Sequence, residues 1–74
     1  MFFKKSKKRK EFEKILKFAK KKFKCDNEID RVWSRYEFTI YNADRKEVED
    51  YFKNYRIQII NFDKNLIIRE WRKI

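Results

Sequence analysis

The residues of this chain that could do chemistry are mainly cations, and they crowd its first third. Residues 1–24 carry twelve basic and two acidic side chains, whereas residues 25–74 carry ten of each. A block of like charge repels itself and is typical of a segment that binds a partner. Because the whole formal net charge of +10 lies in this block, we expect it to bind a polyanion, with nucleic acid as the first candidate.

Lysine makes up almost all of this basic block, which predicts how the block would bind. An ammonium group is a flexible point charge, whereas the guanidinium group of arginine has the planar fork that reads guanine edges. We therefore expect contacts with the phosphate backbone of DNA or RNA and weak sequence preference. The candidate binding residues are Lys4, Lys5, Lys7, Lys8, Arg9, Lys10, Lys14, Lys17, Lys20, Lys21 and Lys24.

Exposed aromatic side chains would add affinity for single strands, because each stacked base contributes about 1–3 kcal/mol. The candidate stacking residues are Trp33, Tyr41 and Trp71. The alternative is that these rings belong to the core, since a small domain needs its large side chains inside. The sequence favours the core.

Few residues of the chain suit catalysis or cofactor binding. There is no histidine and no glycine, so the chain has neither an imidazole base nor a glycine loop for phosphates. The lone cysteine, Cys25, has no orienting base, although Lys22 and Lys24 would lower its thiol pKa. Two acidic groups offer oxygens that magnesium accepts, Asp26 with Glu28 and Asp30, and Glu47 with Glu49 and Asp50. We predict a non-catalytic protein without metal or cofactor.

Length and composition predict one small cytoplasmic domain. A chain of 74 residues has room for one core, and a 42% hydrophobic share argues against disorder. A single cysteine suits a reducing compartment, and no apolar run approaches the roughly 18 residues that span a bilayer. Because small cores give modest stability, a homodimer is an open alternative.

The basic block overlaps a segment with the period of an amphipathic helix, from Lys7 to Lys24. Its apolar residues recur at helical spacing, and no Gly or Pro interrupts them. The apolar stripe comprises Phe12, Ile15, Leu16, Ala19 and Phe23, with Phe18 and Cys25 at its margin. The opposite arc comprises Lys10, Lys14, Lys17, Lys20, Lys21 and Lys24. Residues 1–10 are predicted to form a basic N-terminal arm, and residues 11–74 the domain.

The remaining segments predict an α+β domain with the order α-β-α-β-β and a three-stranded, largely antiparallel sheet. Residues 33–41 alternate as a strand does, with Tyr36, Phe38 and Ile40 on one face. Asn42 or Asp44 is expected to cap a second helix that reaches residue 55, and the spacing of Asp44 and Glu47 fits a capping box.

Residues 56–62 and 66–71 predict a hairpin with the three-residue turn 63–65. That turn would pair Phe62 with Leu66 and Ile60 with Ile68. Because both faces of the hairpin carry isoleucines, we expect the second helix to cover one face. The first helix or a second subunit would cover the other.

Two other partners fit the same basic helix. An amphipathic helix preceded by Phe2 and Phe3 also suits an anionic membrane surface, and an acidic protein is a third alternative. The sheet needs cover, however, and the first helix offers a long apolar stripe. If that stripe is buried, only lysines remain outside, which favours phosphates over acyl chains.

Overall fold

The computed structural model describes residues 7–71, which form two helices and a four-stranded sheet. The elements are α1 Lys7–Lys20, β1 Asp30–Val32, β2 Arg35–Ile40, α2 Arg45–Tyr51, β3 Ile57–Phe62 and β4 Asn65–Glu70. The strands lie in the order β1-β2-β4-β3, and each neighbouring pair is antiparallel. The predicted small α+β domain with two helices is confirmed, whereas the prediction of three strands is wrong.

The strand that the sequence did not predict is β1, which lies in the segment interpreted as a connector. It forms a hairpin with β2 through a two-residue turn, Trp33 and Ser34, whose φ angles are 54° and 66°. Turns of this kind usually contain Asn or Gly, because those residues adopt positive φ most easily. The usual sequence signal is therefore missing, and the observed order is α-β-β-α-β-β.

Helix α1 buries three of the five residues of the predicted apolar stripe, and it ends at Lys20, four residues before the end of the predicted segment and before Phe23. Phe12, Leu16 and Ala19 are buried. Beyond the helix, residues 24–26 run along the end of β2 that β1 does not reach, where Cys25 forms a bridge with Ile40. In this pairing the Asp26 N–H and the Lys24 carbonyl form hydrogen bonds with Thr39 and Tyr41, so they are not available for the hydrogen bonds of a longer helix. Residues 7–10 of the predicted arm belong to α1, and residues 1–6 lie outside the described residues.

Helix α2 begins where its capping sequence predicts. The Asp44 side chain accepts a hydrogen bond from the Glu47 N–H at 3.2 Å, which satisfies one of the unpaired donors of the first turn. Asn42, the other candidate cap, instead has a positive φ of 51°. The helix ends at Tyr51, so Tyr55 lies in the segment that leads into β3.

Both helices pack against the same face of the sheet, so of the two predicted covers for the other face the first helix is wrong and a second subunit stays a prediction. One buried cluster joins residues of α1, α2, β2 and β4, and its members are Phe12, Leu16, Ala19, Tyr36, Phe38, Ile40, Val48, Phe52, Leu66 and Ile68. The opposite side, called the open face below, carries Ile60, Phe62 and Ile67. No helix among residues 7–71 covers it. None of the described helices is long and apolar enough to cross a bilayer.

The turn between β3 and β4 explains why Ile60 and Phe62 lie on the open face. It contains residues 63 and 64 only, with Asp63 at a φ of 56°, a conformation that Asp tolerates. The observed pairs are Phe62 with Asn65 and Ile60 with Ile67, in place of Phe62 with Leu66 and Ile60 with Ile68. Since a shift of one residue moves side chains to the other face, Ile60 and Phe62 lie on the open face.

The outer edge of β3 has no charged residue of its own and is covered by an arginine from α2. The Arg45 guanidinium donates hydrogen bonds to the Ile59 carbonyl at 3.0 Å and to the Asn61 side chain at 2.8 Å. Glu49 holds the same guanidinium at 3.0 Å. An uncharged edge strand invites pairing with another chain. We infer that Arg45 blocks this pairing.

Replacing Arg45 with Ala should therefore increase self-association, because the substitution uncovers the Ile59 carbonyl. The neighbouring exposed cation Lys46 forms no ion pair or side-chain hydrogen bond within residues 7–71, and Lys46→Ala is the matched control with the same loss of charge. Sedimentation velocity over a range of protein concentrations measures the effect. We expect Arg45→Ala to associate at lower concentration than the wild type and Lys46→Ala to match the wild type. Equal behaviour of the two variants would exclude the blocking role.

Candidate nucleic-acid interface

Four lysines form one straight line on the side of α1 that faces away from the sheet. Lys10, Lys14, Lys17 and Lys21 follow the spacing i, i+4, i+7, i+11, which places them on one side of a helix. All four are exposed. Lys21 continues the winding beyond the helix end, since its N–H donates to the Phe18 carbonyl at 3.3 Å. These four residues, called the lysine stripe below, span about 16 Å at about 1.5 Å per residue.

Neighbouring acids do not neutralise the lysine stripe. Within residues 7–71, none of its four members forms an ion pair or a side-chain hydrogen bond. Glu11 is exposed beside the stripe but forms no ion pair with it, and two other acids are engaged elsewhere. Glu13 contacts Arg9 at 3.6 Å, and Glu47 contacts Lys22 at 3.4 Å. The stripe therefore presents its charge to solvent.

The other predicted binding cations differ in their surroundings. Lys7 and Lys8 are exposed in the first turn of α1, and Lys24 is exposed beyond its end. Lys20 lies at one side, where its Nζ donates to the Asn27 carbonyl at 3.0 Å. Arg9 forms an ion pair with Glu13, one turn further along α1. Lys4 and Lys5 lie outside the described residues.

The first turn of α1 is unfavourable for helix stability. It contains consecutive cations at positions 7–10 and no acid, although the N-terminal end of a helix carries a partial positive charge. Each exposed cation there costs about 0.3–1 kcal/mol. Departures from such rules are expected at functional sites. A bound anion would remove this repulsion.

The three predicted stacking residues are exposed, so the preference for placing them in the core is wrong. The exposed fractions are 91% for Trp33, 37% for Tyr41 and 41% for Trp71. Trp33 and Tyr41 flank opposite ends of β2, and they do not form a common platform. The Tyr41 hydroxyl donates to the Asp26 carboxylate, which raises the pKa of Tyr41. The Arg56 guanidinium covers Trp71, at 4.9 Å from the ring centroid.

A three-ring aromatic stack beside the lysine stripe was not predicted. Phe18 of α1 is the middle ring. It stacks on Tyr51 at 4.2 Å with an interplanar angle of 13°, and on Tyr55 at 5.1 Å with an angle of 27°. The Tyr51 hydroxyl donates to the Phe18 carbonyl at 2.7 Å and fixes α2 against α1. The available signal was the position of Phe18 between the apolar and basic sides of α1.

Cys25 is half-buried, and its environment keeps the thiol protonated. Burial raises the pKa of Cys25 to about 11, against an opposing effect of Lys20 and with a smaller contribution from Asp26. The expectation that Lys22 and Lys24 lower this pKa is wrong, because the loss of solvation outweighs nearby positive charge. Among residues 7–71, no group of three carboxylate or thiol side chains is arranged to hold a metal ion.

The raised pKa of Cys25 predicts slow reaction with a thiol reagent. A pKa of about 11 in place of 9.0 lowers the thiolate fraction at pH 8 about a hundredfold. The folded protein should therefore react with Ellman's reagent far more slowly than the denatured protein. Between about pH 8 and pH 10 its rate should rise about tenfold per pH unit. A rate that levels off below pH 9 would contradict the assignment, with circular dichroism confirming that the fold persists.

Comparison with protein-family models, with curated proteins and with solved structures finds no match. The fold and the site thus define only a class, a small α+β domain with a basic helix packed on one face of an antiparallel sheet. Because a fold does not determine a function, any functional inference rests on the lysine stripe and its surroundings.

Proposed function

We propose that this protein binds nucleic acid without catalysis, through phosphate contacts made by the lysines of α1. The observation that carries the proposal is the lysine stripe, which is exposed, free of ion pairs within residues 7–71 and held on a helix that the core fixes in place. A fixed row of cations attracts a polyanion over a distance and reduces the entropy lost on binding.

Burial of the other side of α1 favours phosphates over lipid. A helix that lies in a membrane surface inserts its apolar side among the acyl chains. In α1 that side is occupied, since Phe12, Leu16 and Ala19 are at most 5% exposed. The exposed residues of α1 are cations with the exception of Glu11. Phosphate groups are bound by cations alone, whereas acyl chains require apolar surface.

Weak sequence preference follows from the chemistry of the stripe. It contains no arginine, and lysine lacks the paired donors that recognise a base edge. If the stripe, Lys7 and Lys24 together make six phosphate contacts, log K for duplex DNA should fall with log salt at a slope near −5, about −0.9 per contact. DNA and RNA are both suitable partners, because each carries the same phosphates.

Charge reversal within the stripe tests the proposal. Lys14, Lys17 and Lys21 are changed together to Glu, and fluorescence anisotropy measures the binding of labelled duplex DNA. Affinity should fall more than about tenfold, and the salt slope should become less steep by about 3, because three contacts are lost. Circular dichroism should stay unchanged, since all three side chains are exposed.

The control reverses three exposed cations of the body, and its residues are Arg31, Lys46 and Lys64. Both triple variants have the same net charge, so a difference between them reports position rather than total charge. We expect the control to retain most of the affinity. Equal losses in the two variants would contradict a site on α1. Anionic liposomes form a parallel arm, and stronger binding to them than to DNA would favour a membrane surface.

A further inference from the structure

The aromatic stack directly adjoins the lysine stripe. Phe18 lies four residues after Lys14 and three before Lys21, so it neighbours both on the surface of α1. Phe18 is partly buried because Tyr51 and Tyr55 cover its two sides. A molecule whose phosphates contact Lys14 and Lys21 would thus have its next group beside the aromatic stack.

One end of the stack is occupied and the other is available. At the Tyr51 end, the Lys22 ammonium lies 5.3 Å from the ring centroid and also contacts Glu47. At the other end, Tyr55 is 40% exposed. The Tyr55 ring makes an edge contact with the Phe52 ring, with the ring centroids 5.7 Å apart. The backbone N–H of Tyr55 also donates a hydrogen bond to the Phe52 carbonyl at 2.8 Å, and the two contacts fix the ring in place. The Tyr55 ring is therefore held in place before a planar ligand binds.

The chemistry of a basic row beside an open aromatic ring identifies the ligand. Unpaired bases stack on aromatic side chains, whereas the bases of a duplex are already stacked on one another. We propose that the protein prefers single-stranded nucleic acid, with phosphates on the lysine stripe and an unpaired base on Tyr55. This inference rests on the proposed function and adds the strandedness of the ligand to it.

The charges around Tyr55 are compatible with a nucleotide. Lys53 lies two residues before it in the sequence, and Arg56 follows it directly. The exposed acids that precede Tyr55 on α2 are Glu47, Glu49 and Asp50, and Lys22 partly neutralises Glu47. A strand that follows the lysine stripe approaches Tyr55 from α1, through Phe18, which stacks on Tyr55.

Two other exposed aromatic residues, Trp33 and Phe62, lie away from the lysine stripe and outside the aromatic stack. Trp33 stands alone in the turn between β1 and β2, and Phe62 lies on the open face beside Asp63. Neither belongs to a ring stack next to the lysine stripe. Phe62, which is 59% exposed, therefore provides a matched control.

The experiment compares Tyr55→Leu, Tyr55→Trp and Phe62→Leu in binding to labelled oligo-dT of about 12 nucleotides and to a duplex of equal length. Wild type should bind oligo-dT more tightly than the duplex when affinities are compared per phosphate. Tyr55→Leu should weaken oligo-dT binding about 5- to 150-fold, while its affinity for the duplex changes less than about twofold. Tyr55→Trp should retain oligo-dT binding, and Phe62→Leu should leave both affinities unchanged.

The outcomes separate this inference from the proposed function. If Tyr55→Leu weakens both ligands equally, or if Phe62→Leu weakens oligo-dT as much, the stacking role is excluded while phosphate binding stands. If wild type binds neither ligand, or if the triple lysine variant binds both as wild type does, the proposed function itself fails. The Tyr55→Trp variant keeps a large ring in place and shows whether a loss in Tyr55→Leu reflects packing alone. Loss of oligo-dT binding in a folded Tyr55→Trp protein would also overturn the proposal.

Discussion

The arrangement of the molecule depends on the burial of one side of α1 against the sheet. The Phe12 ring lies 5.4 Å from Phe38 of β2, and Leu16 and Ala19 continue the same contact. Burying a lysine ammonium without a partner is costly, whereas burying these apolar side chains is favourable. Only one rotation of the helix about its axis satisfies both conditions. The packing that stabilises the domain therefore also directs the lysine stripe towards solvent.

The sheet provides rigid support but little charge. Opposite charges within it largely compensate, as in the pair of Arg69 and Glu37 at 3.1 Å, and residues 25–74 as a whole have no net charge. The electrostatic field of the protein hence comes mainly from α1 and the residues next to it. A field with one source orients an approaching polyanion as well as attracting it. The aromatic stack lies at the border of this field, where stacking can add to phosphate contact.

The elements that the sequence predicts correctly are those with local signals. Helical periodicity gave α1 and its basic side, and the Asp44 cap gave the start of α2. The errors occurred at turns. At Trp33 in the β1–β2 turn the backbone departs from residue preference, and at Asp63 a conformation that Asp tolerates forms a two-residue turn in place of the expected three-residue turn. The stack around Phe18 could not be predicted, because it forms only when α2 packs beside α1.

The central claim, that nucleic acid contacts the outward side of α1, is tested most directly by mapping the contact surface in solution. Oligo-dT or duplex DNA is titrated into isotope-labelled protein, and amide and lysine side-chain shifts are followed by NMR. The largest changes should fall on residues 10–24 and, with oligo-dT, also on Tyr55, while residues of the open face such as Ile60 and Ile67 stay unchanged. Changes centred on the open face, with the lysine stripe unaffected, would contradict the account.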